Sequence, residues 1–150
     1  MALLAAGCAT DQPQAGGVKA WPAPPPAGYA MVFLYVERHD TLRTHPTAHV
    51  DDRKLVSLPN DSYTWWYLRP GSHILRVLWD DRFAKLNAHL PHEIKADERI
   101  FLRLDTRSHR SSPADSVSAQ IMPVSEDLAR KATETSVYRA PAKTVIDWPR

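Results

Sequence analysis

The sequence contains seven histidines, His39, His45, His49, His73, His89, His92 and His109, the side chains best suited to hold a metal or to move a proton near neutral pH. Their spacing works against both uses. His89 and His92 differ in parity, so on a straight strand they project from opposite faces, and Pro91 lies between them. His45 and His49 share parity, but Pro46 separates them and no third ligand falls into line. The expectation is scattered surface or half-buried imidazoles that tune an interface as they protonate at about pH 6, with no metal and no cofactor. The acid pairs Asp51-Asp52 and Asp80-Asp81 fall where turns are expected, so hydrolysis by paired carboxylates would need two distant loops to converge. Serine-nucleophile motifs, phosphate loops and dinucleotide fingerprints are absent. No catalytic residue is assigned, the protein is not expected to be an enzyme, and a hydrolase or metal-binding protein is the third reading.

Aromatic and basic clusters offer binding in place of turnover. Trp65-Trp66-Tyr67 could stack on sugar faces, with Trp65 or Trp66 as the contact to a glycan or peptidoglycan strand. Neighbours in a strand face opposite ways, so at least one of the two tryptophans belongs to the core. In the run Arg107-Ser108-His109-Arg110-Ser111-Ser112, the residues Arg107, His109 and Arg110 are candidate contacts for lipid head groups or a sulfated or phosphorylated sugar. The plainer reading of that run is a solvated turn.

The elements that must position these residues read as strands. Ala30 to Val36 is apolar on both parities, as a central strand covered on both faces would be. Thr47 to Val50 and Lys54 to Leu58 flank Asp51-Asp52-Arg53, which predicts a hairpin with a type I turn. Tyr63 to Leu68 meets Arg69-Pro70-Gly71-Ser72, a type II turn signal expected to reverse the chain directly into a strand over His73 to Trp79, ended by a polar turn at Asp80-Asp81-Arg82. Leu86, Ala88, Leu90, His92 and Ile94 share one parity, and Pro91 places that strand at an edge or a bulge. Alternation over Ile100, Leu102 and Leu104 and over Val117, Ala119 and Ile121 predicts two more strands. About seven short strands at this spacing predict an all-β fold, an antiparallel β-sandwich. One short helix follows over Ser125 to Ala132, with a capping serine, acids first and bases last. The tail, 134–150, either frays or lays a final strand on the body.

Composition narrows the partners. Nineteen basic and 17 acidic residues give a formal charge of +2, too near balance for a nucleic-acid partner. A single cysteine excludes an intramolecular disulfide and a thiolate metal cluster. No run of about 18 apolar residues occurs, so no membrane-spanning helix is expected. Thirteen prolines against five glycines crowd towards Trp21-Pro22-Ala23-Pro24-Pro25-Pro26, which predicts an extended spacer over 9–28 ahead of a folded domain over 29–133.

Cys8, behind Leu3-Leu4-Ala5-Ala6-Gly7, resembles the processing site of a bacterial lipoprotein. Residues 1–8 read as a shortened signal, with no Lys or Arg before Cys8, and Cys8 as the lipidation site, although the site departs from the usual lipoprotein pattern in having Ala5 where leucine is commoner. The likeness implies a domain anchored through Cys8 to a membrane of the bacterial cell envelope, facing the periplasm. Ala9 behind the cysteine, by resemblance to enterobacterial sorting, slightly favours the outer membrane. Residues 27–125 also resemble a family of small bacterial envelope lipoproteins whose domain has no known function. That likeness rests on the spacer, the strand Val32 to Arg38, the hairpin around Asp51-Asp52-Arg53-Lys54-Leu55, the segment Leu68-Arg69-Pro70-Gly71-Ser72-His73, and Ala96-Asp97-Glu98 before a late strand. It implies an immunoglobulin-like or related β-sandwich without assigned activity. The expected role is an interaction module that binds an envelope protein or, alternatively, a glycan.

Overall fold

A computed structural model describes residues 21–37, 44–109 and 116–147. The described chain is mostly strand, arranged in two sheets with little helix. Strand β1 (Ala30–Val36) has no residue more than 3% exposed, and it takes the centre of the larger sheet. It pairs antiparallel with β4 (Ser62–Leu68) on one side and parallel with β7 (Arg99–His109) on the other. β8 (Ser116–Pro123) extends this sheet beyond β7. The smaller sheet is antiparallel, in the order β3 (Arg53–Ser57), β2 (Thr47–Val50), β5 (Gly71–Leu78), β6 (Ala88–Ile94). Pro91 lies in β6 at the sheet edge, where a missing N–H costs no ladder bond.

The strand parities build two apolar layers. Val32, Leu34, Val36, Trp66 and Leu102 from the larger sheet meet Val50, Leu75, Val77 and Ala88 from the smaller one in a single core between the sheets. The other parity of the larger sheet, Met31, Phe33, Tyr35, Tyr63, Tyr67 and Phe101, forms a second cluster on its outer face. Helix α1 (Glu126–Thr133) covers part of that face with Ala129 and Ala132, and Ser125 caps it by accepting a hydrogen bond from the Leu128 N–H.

Several expectations need correction. The Pro70-Gly71 turn does not close a hairpin, because β4 and β5 belong to different sheets; Gly71, at φ +132°, opens β5 opposite Ile94. Pairing is not purely antiparallel. β1 and β7 run parallel, and the long crossover that such a pair needs is supplied by the strands between them in sequence. The β2–β3 turn has two residues, closed between Val50 and Arg53, with Asp51 left-handed at φ +53° where a type I turn would keep φ negative. Asp81–Leu86 forms a 3₁₀ turn, so Leu86 reaches the core from there and not from β6.

Part of the expected spacer is packed on the body, and of the two courses open to the tail the structure shows the second, strand laid on the body. Of the spacer, residues 21–28 lie on the outer face of the larger sheet. Trp21 stacks on Phe101 (centroids 5.8 Å apart) under the Arg130 guanidinium, 4.0 Å from its ring, and the Tyr67 hydroxyl donates to the Ala23 carbonyl at 3.0 Å. The tail lays β9 (Val137–Tyr138) and β10 (Val145–Ile146) parallel on the two ends of β4. Between them it crosses to the other sheet, where the Ala142 N–H donates to the Leu55 carbonyl of β3 at 2.8 Å.

Candidate binding face

The outer face of the smaller sheet has a different composition. Ala48, Val50, Leu75, Val77 and Ala88 point inward, so the alternating residues His49, Arg76 and His89 point outward. The register sets His49 opposite Lys54 on one side and Arg76 on the other, and Arg76 opposite His89. Four strands thus contribute one basic residue each to a single row, Lys54–His49–Arg76–His89. Lys54 and His89 are exposed, while His49 and Arg76 are half-buried. Arg76 pairs through Nη1 with Asp52 from the turn, and its Nε has no hydrogen-bond partner. Thr47 Oγ1 accepts from His49 Nε2 at 2.8 Å and donates to the Leu78 carbonyl at 3.3 Å. Burial, then the charges of Lys54 and Arg76, push the His49 pKa below its ordinary value, outweighing the opposing pull of Asp52.

One end of the same sheet holds a cleft of about 460 Å³ lined by Asp51, His73, His92 and Glu93 among others. His73 and His92 face each other across β5 and β6. His73 Nδ1 bonds Asp51 Oδ2 and its Nε2 bonds the Arg69 carbonyl, each at 3.0 Å, so neither nitrogen is left to take a substrate proton. Burial raises the Asp51 pKa, but the Ile74 N–H and the His73 ring together outweigh it and hold the carboxyl below its usual range. His92 Nε2 lies 3.5 Å from Glu98. Among the described residues no three His, Cys, Asp or Glu side chains come together as a metal site.

The residues singled out in the sequence do not converge. Trp66 is 1% exposed in the inter-sheet core, which removes its ring from any sugar. Trp65, on the opposite parity, is half-buried in the outer aromatic cluster, stacked on Tyr138 (5.8 Å) and tilted against Tyr67 (5.5 Å). The Arg107 Nε donates to Asp105 Oδ2 at 2.7 Å on β7, away from both tryptophans in the sheet order. His109 ends β7, and Arg110 and Cys8 lie outside the described residues. No described helix is long and apolar enough to cross a membrane.

Sequence reading missed the basic row because its members are spread from His49 to His89 and meet only through the register of four strands. The available signal was parity: each of His49, Arg76 and His89 alternates with core residues. A scan against protein-family models and a search of curated proteins find no match to this chain.

Proposed function

We propose that this protein is a lipoprotein of the bacterial cell envelope, anchored through Cys8, whose body is an immunoglobulin-like β-sandwich acting as a non-catalytic interaction module. The observation that carries this reading is the contrast between the two outer sheet faces, one packed under α1 and the Trp21 segment, the other carrying Lys54, His49, Arg76 and His89 outward. An open sheet face on a firmly cored body suits binding more than turnover. The closed hydrogen bonding of His73, the best-placed acid–base candidate, points the same way. For the anchor, the apolar run and small residues before Cys8 are the support, since two or more acyl chains make attachment effectively permanent. Metabolic labelling with a radioactive fatty acid should mark the full chain and co-fractionate with membranes. Equal labelling of Cys8→Ser would overturn the anchor.

A further inference from the structure

We infer that the row Lys54–His49–Arg76–His89 is the docking site for an acidic glycan polymer lying across the four strands of the smaller sheet. This rests on the interaction-module reading and names its surface and partner.

Strands lie about 4.8 Å apart, so the row spans about 14 Å in evenly spaced steps. Lys54 and Arg76 flank His49, whose lowered pKa keeps its ring from adding a charge at neutral pH, and Asp52 partly neutralises Arg76 from within the chain. Carboxylates at intervals along a polymer would add to that neutralisation from outside, meeting the exposed ends of Lys54 and His89.

Other partners fit less well. A folded protein needs large apolar or aromatic anchors at the centre of its interface, whereas the four strands of this sheet contain no Phe, Tyr or Trp and the apolar side chains beside the row, Ile74 and Leu78, are half-buried. Nucleic acid is disfavoured by the near-neutral overall charge.

The test uses the purified full-length chain, immobilised polygalacturonate as the acidic polymer, dextran as the neutral one, and vesicles of phosphatidylcholine with phosphatidylglycerol. Expected are retention on polygalacturonate that weakens as salt rises, no retention on dextran, and about tenfold weaker binding for the Lys54→Glu/His89→Glu double variant with an unchanged circular-dichroism spectrum. Both replaced side chains are exposed, so the fold should tolerate them. Undetectable binding, equal binding by the double variant, or binding to the vesicles but not to polygalacturonate would overturn the inference. The assay is blind to acylation of Cys8, so failure here and failure of the fatty-acid labelling are separate results.

Discussion

The two sheets turn opposite outer faces to their surroundings, and they treat them differently. On the larger sheet β1 and β4 carry large apolar side chains on both parities, so water is excluded on both sides, and the outer side needs α1, Trp21 and Tyr138 as a cover. The strands of the smaller sheet alternate, with Ala48, Val50, Leu75 and Val77 inward and His49, Ile74 and Arg76 outward. Less apolar area is left to hide on that face than on the one that α1 and Trp21 cover. Cover on one side and exposure on the other follow from a single property, whether a strand is apolar at every position or at every second one.

The largest effect should come from the covered face. Phe33→Ala removes a fully buried ring in contact with Trp21, Tyr63 and Phe101, and should lose about 3–5 kcal/mol in urea unfolding. A loss below about 1 kcal/mol would mean that the outer cluster is not part of the cooperative core. Next in size is Trp21→Ala, which deletes the stack on Phe101 and the Arg130 contact, with an expected loss of about 2 kcal/mol. No change in its urea midpoint would return residues 21–28 to the role of a plain spacer. Ala142→Pro removes the N–H that reaches Leu55 and should lower stability by about 1 kcal/mol, read as a shift of the thermal midpoint.

Smaller still is a pH effect on the bare face. The His49 pKa is lowered in the folded state, so the unfolded chain binds the extra proton first, and stability must fall as pH drops through the unfolded value of about 6.5. His49→Gln should flatten the stability profile below about pH 7 while leaving it intact above that. Identical slopes for the two proteins would show that His49 is not desolvated. Lys54→Ala and His89→Ala should each shift unfolding by less than about 0.5 kcal/mol, the mark of a surface that the fold does not need.

Features carried by local signals were legible in the sequence. The all-apolar run of β1 pointed to a central strand, Asp51-Asp52 to the hairpin, Pro91 to an edge and Ser125 to a helix start, because each depends on neighbours in the chain. Sheet membership was not legible. Pro70-Gly71 reads the same whether it folds a hairpin or carries the chain between sheets, and only distant pairing decides. Trp65 and Trp66 divided as parity requires, but which one entered the inter-sheet core depended on the register with β1. The basic row needed four registers at once, so no window of sequence contains it.

The crossing of the tail from β4 to β3 and back has a consequence for how the chain is made. Synthesis runs from the first residue to the last, so the β4 edge is complete long before Val137 and Ile146 exist to pair with it. Until then a ribosome-bound chain offers part of that edge to its neighbours, and unpaired edges recruit other strands. Fragments that stop short of Val137 should therefore collect in aggregates, even though every strand of the inter-sheet core except β10 is already present in them.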